Sequence, residues 1–400
     1  MNILVVTPYP PVLHVHGGGV RMFHNIRILA QRNSVHVLSF VENEEECEAV
    51  KPLEAFCESV ATVKRIPDFG PHWFSLAPFM AWEFRTPAMH KAVDDAIRIH
   101  EISVVQCEYL QMAQYRRTGI FSILTIHEAY SANAYRTFQR TVDAIEKLRM
   151  FSRWMSMLNY EISMCNAFDR VVTMTGEDAA YLRSYARSAN IRAIPIGIDA
   201  KEFQPVPDAR PEHPIQIVFV GNFRHTPNVE AAEFLVEEIA PFFPQMEFVI
   251  AGPYLPSTVR KPLNAVFPGY IADTRSLFHS PNAIVAAPLF SGTGQRVKLL
   301  EAFAMGVPVI TTSLGAAGFP VVNRKHAVIA NNAVEFRAAV ADLAASLELR
   351  SRLGREARRM ILEHFTWESI GAHFLDLVEC SSSKRRGGAA KREPDRAKLQ

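Results

Sequence analysis

Four hundred residues exceed what a single hydrophobic core organises, and with 48% of them apolar the chain has material enough for two. The formal net charge of +2 sits at the end, where "KRRGGAAKREPDRAKLQ" holds seven cations against two anions, so the body is near neutral and nucleic acid is not expected as a partner. Five scattered cysteines (Cys47, Cys57, Cys107, Cys165, Cys380) without C-x-x-C spacing suggest neither a disulfide framework nor a zinc site, and they fit a reducing cytoplasm.

Met1 leads straight into the strand-like "NILVVT" with no charged and apolar leader before it. No run of eighteen uncharged apolar residues follows anywhere, so the expectation is a cytoplasmic protein, soluble or touching the inner face of a membrane peripherally. After "ILVVT" come a glycine-rich loop, the amphipathic "VRMFHNIRILAQ" and a second strand, "VHVLSF". Such alternation predicts right-handed βαβ units and a parallel sheet covered on both faces. "SVVQCE", "FSILTIHE" and "RVVTMTG" continue the strands, and residues 131 to 168 read as one long helical stretch.

After "IRAIPIGID", four prolines (Pro205, Pro207, Pro211, Pro214) crowd ten positions and mark a linker. The pattern then restarts with "IQIVFVG", the helical "NVEAAEFLVEEIAPFF", and the strands "EFVIAG", "AVFPGY" and "NAIVAAP". The division predicted is a first domain over 1–203, a hinge over 204–214, a second domain over 215–364, a last helix over 365–381 capped by Thr366, and a disordered basic tail over 382–400.

The informative stretch is "LFSGTGQRVKLLEAFAMGVPVITTS". Gly292, Thr293 and Gly294 lie between a strand and a helix expected to begin near Gln295, and a helix start with glycines before it offers bare N–H groups to an anion. Arg296 and Lys298 fall in the first turn, where the helix dipole disfavours cations, so a dianionic group docking there would explain them. Glu301 stands among Leu299, Leu300, Ala302 and Phe303, where a carboxylate needs donors, which ribose hydroxyls or a structural Arg would supply. Gly17, Gly18 and Gly19 after the first strand do not continue into G-x-G-x-x-G, so hydride transfer on a dinucleotide is not expected. No Asp, Glu or His cluster has metal-ligand spacing.

Taken as one string, "SGTGQRVKLLEAFAMGVPVITTSLGAAGF" resembles the donor-binding motif of glycosyltransferase family 4, retaining enzymes of the GT-B fold, in its G-x-G-x-R-x-K-x-x-E subgroup. "PPVLHVHGGGVR", "TIHE", "IPIGIDAKEFQP", "VFVGNFRHTPNVEAAEFL" and "FPGYI" are similar, in order, to other family segments, so the resemblance covers most of the chain. It implies two Rossmann-like domains facing across a cleft, with the C-terminal helix returning to the first. It also implies a metal-independent enzyme, without further cofactor, that moves a sugar from a nucleotide-diphosphate donor to a saccharide, lipid-linked or small-molecule acceptor.

By the same resemblance Arg296 and Lys298 counter the diphosphate, Glu301 holds the ribose, and His127 faces the transferred sugar. Gly18, Gly19, Asn222, Tyr270, Ile271, Gly292, Thr293 and Gly294 join them around the donor. Two departures stand out. Where many members carry a second Glu eight positions before Glu301, this chain has Thr293; an Arg and a Lys common after the strand "IVFVG" are replaced by Asn222, Phe223 and Pro227. Either Thr293 or nearby backbone N–H groups are then left to meet the sugar hydroxyls. Glu108 at a strand end also faces the cleft or the core, and Glu128 is a helix-start residue by its position. The aromatic stretch from Phe69 to Phe84 either packs or forms an acceptor lip or membrane patch, and the basic tail is solvated or attracted to anionic lipid. An epimerase of the same fold and a non-catalytic nucleotide-sugar-binding subunit are the alternatives.

Overall fold

The computed structural model describes residues 1–13, 17–66, 77–205, 214–280 and 282–388, with side chains to Val378. The proline-rich linker from 206 to 213, the aromatic stretch from 67 to 76 and the tail from 389 lie outside the described residues, as do His14 to His16 of the first glycine segment.

Continuous β-branched runs become central strands because helices on both faces remove the need for polar alternation. Ile3, Leu4, Val5 and Val6 are fully buried on β1 (Asn2–Thr7). Beside it run β2 (Ser34–Val41), β3 (Ser59–Lys64), β4 (Val104–Glu108), β5 (Phe121–Ile126), β6 (Arg170–Thr173) and β7 (Ile191–Ala193). All are parallel, in the order β3-β2-β1-β4-β5-β6-β7, with Val5 opposite both Val37 and Gln106. The second sheet is built from β8 (Gln216–Val220), β9 (Glu247–Ala251), β10 (Ala265–Gly269), β11 (Ala283–Ala287), β12 (Val309–Thr311) and β13 (Val328–Ile329), again parallel, in the order β10-β9-β8-β11-β12-β13.

Each sheet reverses its strand order at one place, between β1 and β4 and between β8 and β11. Parallel sheets bind ligands outside the carboxyl ends of strands at such switch points. Gly17 to Gly19 follow β1, Glu108 ends β4, Gly221 and Asn222 follow β8, and the Gly292–Gly294 loop follows β11. Topology alone therefore brings the sequence candidates to two facing crevices.

The last helix, Trp367–Gly388, returns to the first domain and continues past the end at 381 expected for it, into the stretch read as a disordered tail. Ile198 and Thr366 form a bridge, with the Ile198 N–H donating to Phe365 O at 2.8 Å. The Trp367 ring stacks on His24 at 4.3 Å and lies so close to Gly197 that a Cβ there would meet it at 2.6 Å. Thr366 caps the helix, its Oγ1 accepting from the Ser369 N–H at 3.2 Å.

Three local expectations are corrected. The stretch read as one helix over 131–168 is two, Tyr130–Arg140 and Ala144–Ala167, antiparallel neighbours joined by a turn at Thr141, Val142 and Asp143. The break is a capping event: Asp143 turns out of helical geometry and its Oδ1 accepts from the Glu146 N–H at 2.8 Å. Gly17 to Gly19 form the first turn of helix Gly17–Ala30 rather than a loop before it. The helix expected from Gln295 begins at Val297, with Arg296 in extended conformation at the cap position.

Candidate active site

The loop after β11 can turn as it does because Gly292 and Gly294 adopt φ of +91° and +77°, a region that costs side-chain-bearing residues energy. It is also pressed against the first domain. A Cβ on Gly294 would stand 3.0 Å from the His127 carbonyl oxygen. Thr293 Oγ1 donates to Glu128 Oε2 at 3.2 Å, and Gln295 Oε1 accepts from the Ile196 N–H at 2.6 Å. From helix Tyr130–Arg140, Arg136 donates to Gly292 O, and Arg140 donates to Phe290 O at 2.5 Å and to Glu230 at 3.4 Å. The two domains thus meet on this loop.

Arg296 folds back over the same turn, donating to Thr293 O and, at 3.3 Å, to Ser291 O. Burial lowers its pKa to about 10. One turn on, Lys298 Nζ donates to Asn228 Oδ1 at 2.7 Å and sits 4.3 Å from the centre of the Phe219 ring. Burial first, and Arg296 second, lower the Lys298 pKa to about 7. Glu301 accepts from Thr274 Oγ1 at 2.9 Å, and burial raises its carboxyl to about 7. The helix therefore presents an ammonium and a carboxylate that the surrounding protein does not ionise comfortably, a state suited to a ligand that brings the missing partners.

Two adjoining cavities frame these groups. One of about 800 Å³ is lined by Arg296, Lys298, Thr293, Glu128, Arg136 and Asn228. The other, of about 200 Å³, has Glu301, Tyr270, Ile271, Thr274 and Trp367 on its walls. Gly17 and Val297 line both, so the first turn of helix Gly17–Ala30 forms the rib between them. A Cβ on Gly17 would meet Val297 at 2.6 Å, which is why the domains approach so closely here.

Other expected residues sit differently. Gly18 makes room for tyrosines: a Cβ would stand 1.8 Å from the Tyr109 hydroxyl and 2.8 Å from that of Tyr9. Gly19 is buried in the same turn. Asn222 is exposed and works one step back, its carbonyl accepting from Asn228 Nδ2 at 2.7 Å and so orienting the amide that holds Lys298. The His127 imidazole is buried, stacked on Tyr109 at 3.7 Å with Nε2 2.8 Å from Glu108 Oε2, while its carbonyl meets the loop. Glu108 faces the core, fully buried, and also accepts from Gln106 at 2.6 Å. Arg136, Arg140, Asn228 and Thr274 were not singled out from sequence. Glu128 was read only as a helix start, yet its carboxyl lines the larger cavity and is raised by burial.

A pair of Rossmann-ordered domains meeting over such a cleft is the GT-B architecture. Solved structures agree: sucrose-phosphate synthase from Thermosynechococcus elongatus superposes with a TM-score of 0.74 at 18% identity, covering 96% of this chain and 100% of that one. Anabaena Alr3699/HepE, solved with UDP and glucose, gives 0.69 at 14% identity over 95% and 99%. Two family models match in tandem, Glycosyltransferase Family 4 over residues 15–202 and Glycosyl transferases group 1 over 214–346. Among curated proteins, a glycogen synthase of Mycobacterium tuberculosis is 25% identical over 92% of each chain. A GDP-mannose-dependent alpha-(1-6)-phosphatidylinositol monomannoside mannosyltransferase of Mycolicibacterium smegmatis is 24% identical over 50% of this chain and 58% of its own. The chain is a family 4-like glycosyltransferase of GT-B type.

Proposed function

We propose that the protein transfers a glycosyl group from a nucleoside-diphosphate sugar to a hydroxyl acceptor with retention of configuration, drawing its leaving-group charge from side chains instead of a metal. The observation that carries this reading is the placement of Lys298 and Glu301 on one helix but in two adjoining cavities. The diphosphate would lie by Lys298 and the N–H groups at the Val297 helix start, with the ribose at Glu301 and the base beside Tyr270 and Ile271. The similar proteins support a nucleotide-sugar donor, since one is a GDP-mannose-dependent mannosyltransferase and another was solved with UDP and glucose.

In the reaction the bond between the anomeric carbon and the diphosphate oxygen breaks, the acceptor oxygen bonds to that carbon from the same face, and the acceptor proton passes to the departing diphosphate. Negative charge grows on the leaving group. Lys298 and the helix start oppose it, and Arg296 would do so after releasing the loop carbonyls it now binds. Closure of Arg136 and Arg140 over the loop keeps water from the reacting sugar.

Purified protein incubated with a panel of nucleotide sugars is expected to release free nucleoside diphosphate slowly. An isomeric sugar would mark an epimerase instead, and no turnover with intact binding would mark a non-catalytic subunit. Arg296→Ala and Glu301→Ala are each expected to weaken nucleotide-sugar binding about tenfold or more, roughly 1.4 kcal/mol, by calorimetry. Unchanged affinity in both would overturn the site assignment. Persistence of turnover in EDTA tests the metal-independent part separately. His127→Ala is expected to lower kcat more than it raises KM, because removing the ring unseats Tyr109 and Glu108 beneath the carbonyl that braces Gly294. An unaltered kcat would return His127 to a purely packing role.

A further inference from the structure

The hairpin of helices Tyr130–Arg140 and Ala144–Ala167 carries a surface that the transfer chemistry does not use. Val142, Ile145, Leu148, Phe151 and Met155 are 94%, 70%, 70%, 42% and 42% exposed. On the second helix the last four follow each other by three, three and four residues, which at about 100° per residue confines them to an arc of about 120°. Buried Met157, Leu158, Glu161 and Cys165, further along the helix, occupy a separate, neighbouring arc of about 100° that faces the first domain. The apolar stripe is therefore a second face of the helix, turned outward. Its base is stiffened by the packed rings of Phe138, Phe151 and Trp154, with centroids 5.7 to 5.9 Å apart.

Cations border the stripe on both sides. Lys147 falls along one edge, and Arg149 and Arg153 fall along the other, all three exposed. The anions at this end lie off the stripe: Asp143 caps the helix, and Glu146, 3.3 Å from Arg149, offsets one of the three cations. An apolar stripe between two basic margins matches a surface that is hydrocarbon beneath and negative above. A second copy of the chain fits poorly, because a twofold pairing of the stripe would bring the same basic margins together. Among the described residues no helix is long and apolar enough to cross a membrane, so the contact is one that lies on the surface.

We infer that this hairpin docks the protein onto an anionic lipid bilayer, with Val142, Ile145, Leu148, Phe151 and Met155 entering the interface and Lys147, Arg149 and Arg153 meeting the headgroups. The inference stands on the surface itself and does not depend on the transferase reading. It has a positional corollary. Arg136, Thr137, Arg140 and Thr141 of the same hairpin line the larger cavity, so docking would set the mouth of the cleft beside the membrane.

The full-length chain should co-float with vesicles of phosphatidylcholine and phosphatidylglycerol in equal parts, and not with phosphatidylcholine alone. Ile145→Glu combined with Leu148→Glu should lower the partition about tenfold or more, and so should Lys147→Gln with Arg149→Gln and Arg153→Gln, the charge variant acting more strongly at low salt. Nucleotide-sugar binding and the thermal midpoint should be unchanged in both, since these side chains are exposed. The inference is overturned if the wild-type chain fails to float with the anionic vesicles. Flotation that survives both hairpin variants and disappears when Lys384, Arg385 and Arg386 become serine would assign it to the basic end of the last helix and overturn it equally. So would a wild-type dimer in sedimentation velocity that the Ile145→Glu and Leu148→Glu variant dissociates.

Discussion

Replacing Lys298 by methionine is expected to weaken nucleotide-sugar binding by about a hundredfold or more and, in the same variant, to raise the melting temperature of the free protein. Both effects follow from one ammonium. Its neighbours are the Asn228 amide and the face of Phe219, and burial lowers its pKa to about 7. A lysine so depressed weighs against the folded state wherever folding must bury the charge, below about 7, and the burden fades as pH rises from there toward the ordinary lysine value of 10.5. Methionine keeps the aliphatic volume and removes the charge, while Asn228, on the wall of an open cavity, can turn to water. The gain, on the order of 1 kcal/mol or more, should be largest below pH 7 and vanish near pH 10. A diphosphate reverses the balance by supplying the missing anion, which raises the lysine pKa. Affinity in the wild type should then be flat below pH 7 and fall by up to about tenfold per unit above it. Calorimetry and thermal melts across pH 6 to 9 measure both; equal affinity in Lys298→Met and wild type would remove Lys298 from the donor site.

The second large effect is expected at Glu161, a residue with no part in the chemistry. Helix Tyr130–Arg140 begins at Ala129, whose side chain cannot cap it. Glu161, fully buried on the neighbouring helix, does so from across the hairpin: the Tyr130 and Ser131 N–H groups donate to its two oxygens at 2.9 and 3.1 Å, and the Ser131 hydroxyl donates as well. Glu161→Ala leaves those donors buried without partners and opens a hole the size of the lost side chain. The expected loss is about 2–4 kcal/mol in urea unfolding. Glu161→Gln, which keeps one accepting oxygen and the volume, should lose less. Because this helix delivers Arg136 and Arg140 to the loop of the other domain, the Ala variant should also raise the KM for donor. A loss no greater in Ala than in Gln would show that neither the filled volume nor the oxygen that Gln retains holds the hairpin.

The central strands were legible because fully buried parallel strands need no alternation and print their apolar runs directly, as "ILVVT" and "AIVAA" do. Three of the four edge strands were not: β3 reads "SVATVK" with half its side chains exposed, and β7 and β13 are three and two residues long, whereas the edge strand β10 was readable in "AVFPGY". The helix break at Asp143 carried a readable signal, an Asp followed three residues later by Glu, but continuous helical periodicity on both sides masked it. Glu301 and Lys298 stood out in sequence because charge inside an apolar helix is costly and must have a reason. Arg136, Arg140 and Glu128 left no such trace. They come from the other domain, on an ordinary amphipathic surface and a strand end, and only the meeting of two sheets brings them to Gly292 and Thr293. His127 shows the complementary limit: its place at a strand end was readable, whereas the direction of its ring depends on Tyr109 and Glu108, which are not its neighbours along the chain.

The return of the last helix has a consequence for how the polypeptide can be divided. Phe374, Leu377 and Val378 belong to the same buried cluster as Ile3, Phe23 and Ile28, so residues from opposite ends of the chain finish one interior. Two separately expressed fragments, cut between 206 and 213, would leave the amino-terminal piece with an uncovered apolar flank and the carboxy-terminal piece with a sticky appendage. Co-expressed, those fragments would have reason to reassemble, since each holds what the other lacks.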